Sequence, residues 1–145
     1  MANEGDQTMI DIFIPGRPAP QGSKRHVGNG VMIESCKTVK PWRESIRSAL
    51  ITDRGKPIER FEGAVVCILD FVLPRPKTTP KRSTPEATKK PDIDKLSRAV
   101  LDAITSAGVI VDDSYIVDMH PKKRLAELGK APGLRLRLRS TQEAA

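Results

Sequence analysis

The sequence predicts an α+β fold in which a mixed β-sheet packs against two main helices within a single domain. Three observations support this prediction. A length of 145 residues is typical of one domain. Several short segments are continuously apolar or alternate apolar with polar residues, as strands do. Two longer segments place their apolar residues at helical spacing, which predicts two amphipathic helices.

Four segments predict strands. Residues 9–16 (MIDIFIPG) alternate in character and end in Pro-Gly, a strand followed by a turn. Residues 63–74 form a nearly continuous apolar run, typical of a central strand. Residues 133–140 (GLRLRLRS) alternate leucine with arginine, so we expect the leucines to face the core. Residues 114–124 predict an edge or irregular strand, because Pro121 has no N–H for a sheet ladder.

The first helix is predicted from Pro41 to Ile51, with the proline at its first helical position. The second is predicted from Ile93 to Ala107, and Gly108 is well suited to end it. Residues 109–111 then form a short segment that we expect to be buried. Asn29-Gly30 indicates a hairpin turn earlier in the chain.

A basic loop is predicted between the central strand and the second helix. Residues 75–90 are rich in proline and threonine, and we interpret them as a mobile loop. A solvated linker is the alternative, but the position just before an acidic cluster favours contact with a substrate. The loop belongs to a domain over residues 9–140, and we expect residues 1–8 to be disordered and residues 141–145 frayed. Its cations are Arg75, Lys77, Lys81, Arg82, Lys89 and Lys90.

Composition favours a nucleic-acid partner. Lys and Arg number 25 against 18 Asp and Glu, which suggests a polyanion, with nucleic acid ahead of an acidic membrane surface. Aromatic residues are only 3%, so recognition of a phosphate backbone is favoured over base stacking. Cys36 and Cys67 lack metal-site spacing, which disfavours structural zinc and a disulfide framework. With no signal pattern and no long apolar run, we expect a cytoplasmic protein.

The segment KKPDIDKLSRAVLDAI, residues 89–104, places acids in an otherwise basic chain. Asp92 and Asp94 lie two apart at the start of the second helix, and Asp102 follows on the same face as Asp94. Locally, each acid has a structural explanation as a helix cap, a dipole partner or a turn residue. Together they suggest more, because packing of residues 109–111 would bring Asp113 back toward the N-terminus or the face of the helix.

Several carboxylates that converge repel one another unless a cation neutralises them. Oxygen ligands without a nearby His or Cys select Mg²⁺ or Mn²⁺, and the spacing is not that of an EF-hand. A divalent ion within a positive surface is suited to cleaving phosphodiesters. The residues therefore indicate a metal-dependent nuclease.

Residues 90–118 (KPDIDKLSRAVLDAITSAGVIVDDSYIVD) resemble the RusA family of Holliday junction resolvases. The family pattern is roughly Pro-Asp-x-Asp-Asn-Leu-x-Lys, then Leu-Asp-Ala-Leu, then a stretch ending in Asp-Asp. FIPGRPAPQGSKR, residues 13–25, is also similar to the opening strand and basic loop of the family, so the resemblance spans about residues 9–139. The matching positions in the specific motif are Asp92, Asp94, Leu96, Asp102, Ala103, Asp112 and Asp113.

The resemblance implies a homodimeric, Mg²⁺-dependent endonuclease, often phage-borne, that cuts four-way DNA junctions with paired nicks. In the mechanism that we expect, each nick leaves a 5′-phosphate. It implies Asp92, Asp94 and Asp113 as metal ligands, and from their oxygen chemistry we expect that Mn²⁺ can substitute. Arg98 falls where the family has its catalytic lysine, and Lys95 where it usually has asparagine. Because arginine stays protonated, Arg98 is expected to stabilise charge on the phosphate rather than to act as a base.

The remaining site residues receive supporting roles. We expect Asp102 to orient Arg98, with outer-shell support of the metal as the alternative. We expect Asp112 either to support a metal ligand or simply to form a turn. The proposed setting is the cytoplasm of a bacterial or phage-infected cell. The expected DNA-binding residues are Lys24, Arg25, Lys77, Lys81, Arg82, Lys89, Lys90 and Lys95.

Three alternatives remain open at this point. The protein could cleave other branched DNA, such as flaps or forks. It could bind junctions without cutting them, since Arg98 and Lys95 depart from the family pattern. It could also be an acid-sensing or Ca²⁺-binding structural domain, although that leaves the basic loop without a role.

Overall fold

The structure of the protein is a computed structural model that describes residues 8–22, 24–26, 32–34 and 37–141, with backbone alone for 24–26 and 32–34. The described residues form a four-stranded mixed sheet, a separate two-stranded sheet and two α-helices, which confirms the α+β prediction. In chain order the elements are β1 (Met9–Pro15), β2 (Lys24–His26), β3 (Met32–Glu34), α1 (Val39–Ala49), β4 (Val65–Leu73), α2 (Ile93–Ser106), β5 (Ile116–Leu125) and β6 (Gly133–Ser140).

The main sheet has the strand order β1-β6-β4-β5. Strand β6 pairs antiparallel with both β1 and β4, whereas β4 pairs parallel with β5. A parallel pair needs a crossover connection, and the connection from β4 to β5 contains α2. This crossover runs α2 back along the two strands, so the helix begins near the ends of β4 and β5 and finishes near their starts.

One face of the sheet forms the core with the two helices. The β6 leucines Leu134, Leu136 and Leu138 are at most 1% exposed, which confirms the alternation predicted for 133–140. They pack in the same cluster as Trp42 of α1 and Leu96 of α2. The arginines between them lie on the opposite face of the sheet, because successive strand residues alternate sides.

Helix α1 starts two residues before its predicted start. Thr38 is the N-cap, so Pro41 occupies the third helical position rather than the first. Proline is tolerated there because the first-turn N–H groups have no partner within the helix. Helix α2 ends as predicted, with Ala107 as C-cap and Gly108 at φ +82°, a conformation that favours glycine.

The edge position predicted for the proline-containing strand is confirmed, since β5 is the outer strand of the sheet. The prediction of a buried segment at 109–111 holds for Val109 and Ile110 but is wrong for Val111, which is 55% exposed. Val111 lies in the bend after this buried pair, and its side chain points away from the core that the described residues form. The Asn29-Gly30 turn lies outside the described residues, although β2 and β3 on either side of it pair antiparallel.

The ends of the domain join the sheet. Ser140 N–H donates to the Thr8 carbonyl and Thr141 N–H donates to the Ala64 carbonyl. The predictions for residues 1–7 and 142–145 fall outside the described residues. In the described part of the chain, no helix is both long and apolar enough to cross a membrane.

Candidate active site

Helix α2 begins with two exposed carboxylates. Asp92 is its N-cap, with extended backbone, and its carbonyl accepts the N–H of Leu96 at 3.0 Å. The Asp92 carboxylate makes no capping bond, so a cap is not the reason for its charge. Asp94 lies in the first turn, and both side chains are exposed. Among the described side chains, neither carboxylate has a hydrogen-bonding or ion-pair partner, so both remain open to a ligand.

A lysine from the edge strand holds the chain just before Asp92. Lys123 Nζ on β5 donates to the carbonyl oxygens of Lys89 and Pro91, each at 2.8 Å. The Lys90–Pro91 peptide between these carbonyls is cis. The helix start is therefore tied to the sheet by a charged donor that no sequence pattern identified.

The third implied ligand, Asp113, follows α2 in the chain and lies beside the C-terminal half of this helix. Asp113 Oδ1 accepts a hydrogen bond from Thr105 Oγ1 at 2.8 Å, and its other carboxylate oxygen lies 3.5 Å from the Arg98 guanidinium. The packing of Val109 and Ile110 thus returns Asp113 to the face of the helix, as expected. It returns to the C-terminal half, because its hydroxyl partner lies in the last turn.

One subunit does not bring the three implied metal ligands together. Asp94 and Thr105 are eleven residues apart on one helix, which corresponds to about 16 Å along its axis. Within the described residues, no three Asp, Glu, His or Cys side chains form a group that could hold a metal ion. Asp92 and Asp94 offer the oxygen donors that Mg²⁺ prefers, so two of the three residues fit such a site and Asp113 of the same subunit does not.

Asp102 faces the other helix. Its carboxylate lies 3.7 Å from the Arg43 guanidinium of α1, and Arg43 also donates to the Gln21 side chain at 2.6 Å. Gln21 N–H in turn donates to the Lys95 carbonyl at 2.9 Å. Arg43 therefore joins α2 to the segment that leads into β2. Arg43 was not among the residues predicted for the site, and that Asp102 orients Arg98 stays a prediction.

Asp112 forms a turn. Its carboxylate accepts the N–H of Ser114 at 2.9 Å and caps the short 3₁₀ turn of residues 113–115. Hydrogen bonding with the Ser114 side chain first, and with its backbone N–H second, holds the pKa of Asp112 below its usual value, because both bonds stabilise the charged form. The contact is the one expected of a turn residue, which was one of the two predicted roles.

The predicted basic loop folds back on itself around Arg75. The Arg75 guanidinium donates to the Thr84 hydroxyl and to the carbonyls of Pro80, Ser83 and Ala126. The other cations of the loop lie at the surface. The mobility of the loop stays a prediction. The exposed cations of the predicted set are Lys77, Lys81, Arg82, Lys89 and Lys90.

Three predicted DNA contacts lie outside the loop. Lys95 is half-buried in its first turn. The backbone of Lys24 and Arg25 forms β2, and their side chains lie outside the described part of the structure. Because Gln21 bonds to the Lys95 carbonyl, the segment leading to β2 passes beside the start of the acidic helix.

Comparisons with known proteins bear on this site. The chain matches the family profile described as Endodeoxyribonuclease RusA over residues 15–139. A search of curated proteins returned no match. The family match covers most of the chain and includes every residue of the acidic motif. The chain therefore belongs to the RusA family of endodeoxyribonucleases, the Holliday junction resolvases that its sequence resembles.

Proposed function

We propose that the protein is a Mg²⁺-dependent endonuclease that resolves four-way DNA junctions by two symmetric nicks, each leaving a 5′-phosphate. One observation carries this proposal. Asp92 and Asp94 stand exposed at the start of α2 with no partner among the described side chains. The cations of the 75–90 loop precede them along the chain, and the family acts on DNA.

The two open carboxylates are the residues that would hold the ion. When bound, Mg²⁺ supplies a water of lowered pKa and offsets negative charge on the phosphate. Mn²⁺ is expected to substitute, because it accepts the same oxygen ligands. Lys123 supports the pair by fixing the Pro91 carbonyl, which sets the backbone immediately before Asp92.

Cations near the pair would bind the DNA backbone. Arg98 lies one turn after Asp94, its side chain is 59% exposed, and it makes a long 3.5 Å contact with Asp113. A guanidinium in such a loose pair can exchange its carboxylate for a phosphate and stabilise charge there. Lys95 and the exposed loop lysines would add contacts that do not depend on sequence, so affinity should fall steeply as salt rises.

Two subunits would supply two nicks. A four-way junction is approximately two-fold symmetric, and each chain carries one acidic pair, so a symmetric homodimer fits the substrate. The distance along α2 adds a second argument for a dimer. Asp113 bonds Thr105, which stands about 16 Å along the helix from Asp94 of the same subunit, so the ligand role implied for Asp113 would be met at the acidic pair of the partner subunit.

Mixing two inactive variants tests this sharing. Asp94→Asn and Asp113→Asn homodimers are prepared separately, shown to be inactive, and then allowed to exchange subunits. If the site is shared, a mixed dimer has one fully native site and one doubly altered site, so single nicks reappear. If each site is built within one chain, every site lacks one residue and the mixture stays inactive, which would remove Asp113 from the partner's site.

A cleavage assay tests the activity itself. A labelled four-way junction is incubated with wild type and Asp92→Asn, in Mg²⁺ and in EDTA. We expect paired nicks with wild type in Mg²⁺ and none in the other three samples. Cleavage that survives in Asp92→Asn would refute the site. Three-way and flap substrates in the same assay would show a broader branched-DNA nuclease, and a bound but uncut junction would show a binding protein.

A further inference from the structure

A cavity of about 390 Å³ lies beside the start of α2. The basic loop forms most of its wall, and Pro91, the residue before Asp92, is part of its lining. Its volume is within the range, roughly 300–1,000 Å³, in which proteins hold small organic ligands. The lining of the cavity therefore reaches the residue that precedes Asp92, one of the two carboxylates to which the proposed function assigns the chemistry.

The lining combines apolar surface with a few polar groups. Leu73 and Leu125 come from the adjacent ends of β4 and β5, and Ala87 comes from the loop. The hydroxyl-bearing residues Thr78 and Thr88 also line the cavity. Apolar walls with scattered hydrogen-bonding groups are the environment in which proteins hold a nucleobase that has left its stack.

Charged residues of the lining favour an anionic ligand. Among the described residues, Arg17, Lys89 and Lys90 line the cavity together with one carboxylate, that of Glu86. A ligand with a planar apolar part and a phosphate would match both sets of groups. A nucleotide of the DNA strand has this composition, and the strand must pass Asp92 if that residue takes part in cleavage.

The loop wall is held in place before any ligand binds. The guanidinium of Arg75 bonds the loop at Pro80, Ser83 and Thr84, and Thr84 also donates to Glu127 at 2.7 Å. Lys123 fixes the end of the loop at the Pro91 carbonyl. A wall with these supports reduces the ordering cost of binding, as in other preorganised sites.

We propose that this cavity binds an unstacked nucleotide of the junction, next to the phosphate that is cut, and that it thereby contributes to the choice of cleavage position. The inference rests on the proposed function. Leu73, Leu125 and Ala87 contact the base, the threonine hydroxyls bond its edge, and Arg17, Lys89 and Lys90 bind the adjoining phosphates.

Fluorescence of 2-aminopurine tests the proposal, because the probe is quenched in a base stack and brightens when it is unstacked. Junctions carry the probe at one central position at a time and are bound by wild type in EDTA, so that the DNA stays intact. We expect a several-fold increase at a nucleotide beside the cleavage position. Thr88→Trp, an exposed position, should fill the cavity and reduce this increase, and should also redistribute cleavage in Mg²⁺.

Ser106→Trp is the matched control, because Ser106 is also exposed but lines a different cleft between α1 and α2. It should keep the wild-type signal and cleavage positions. Ala87→Phe fills the same cavity from the loop side and should repeat the result of Thr88→Trp, with thermal melting as a check that each variant folds.

The outcomes separate the two proposals. If wild type binds and cuts the junction but no probe brightens, or if the cavity-filling variants behave as wild type, the nucleotide pocket is overturned and the nuclease stands. If wild type neither binds nor cuts the junction, the proposed function fails, and the pocket fails with it.

Discussion

The acidic residues at the two ends of helix α2 differ in their hydrogen-bond and ion-pair partners. At the N-terminal end, Asp92 and Asp94 are exposed and have no partner among the described side chains. At the C-terminal end, Asp113 accepts a hydrogen bond from Thr105 and pairs with Arg98. The helix start is secured through backbone carbonyls instead, by Lys123. Asp113 therefore takes part in contacts within the fold, whereas Asp92 and Asp94 remain available to a ligand.

The largest expected effect comes from removing a carboxylate charge at the N-terminal end of α2. Asp94→Asn should lower cleavage by at least about 10²–10³-fold, the usual cost of losing a group that stabilises charge in the reaction. It should change the free energy of unfolding by less than about 0.5 kcal/mol, as most surface substitutions do. Single-turnover cleavage and urea denaturation measure the two quantities. A large loss of stability would erase the contrast between the two ends.

Asp113→Asn should lower cleavage and stability together, because Thr105 and Arg98 lose a charged partner. We expect a loss of roughly 1 kcal/mol in unfolding free energy. Equal stability for Asp94→Asn and Asp113→Asn would show that the contacts of Asp113 contribute nothing to the fold.

The next effect is expected at the lysine that ties the helix start to the sheet. Lys123→Met removes the donor of two hydrogen bonds while keeping most of the apolar stem, and should cost about 1–2 kcal/mol. Cleavage should also fall, since the backbone before Asp92 loses its support. Lys122→Met is the control, because Lys122 is the exposed neighbour on the same strand. Identical melting temperatures for the two variants would contradict the role of Lys123.

A smaller effect is expected at the C-terminal end of α2. Thr105→Val keeps the β-branched shape and removes the hydroxyl that bonds Asp113, which should cost about 1 kcal/mol. Ser106→Ala, at the exposed neighbouring position, should leave melting unchanged. If Thr105→Val melts like wild type, the hydrogen bond does not stabilise this end.

The smallest effect concerns acid pH. Hydrogen bonds from the side chain and the backbone N–H of Ser114 lower the pKa of Asp112 in the folded state, so the charged carboxylate stabilises the fold. This contribution is present above the unfolded pKa of about 3.9 and is lost as pH falls through the lower folded value. Asp112→Asn should therefore flatten the decline of stability below about pH 4. If Asp112→Asn and wild type show the same dependence of melting temperature on pH between pH 2 and 6, the stabilising role of the Asp112 carboxylate is contradicted.

Much of the fold could be predicted because its signals are local. Residues 133–140 alternate so regularly that the strand bounds and the buried leucines both follow from the pattern. The start of α1 was missed by two residues, since Pro41 fits any position in the first turn. Arg75 and Lys123 could not be assigned, because their partners lie up to 51 residues away in the chain.

By itself, the sequence determined the α+β class, the two helices, the acidic start of α2 and the family, since periodicity and motif spacing are properties of neighbouring residues. Only the tertiary structure decided where Asp113 lies, which residues hold the basic loop, and that a cavity opens beside Pro91. The physical reason is that hydrophobic packing sets the position at which the chain returns to α2. Sequence separation bounds that position but does not select one turn of the helix over another.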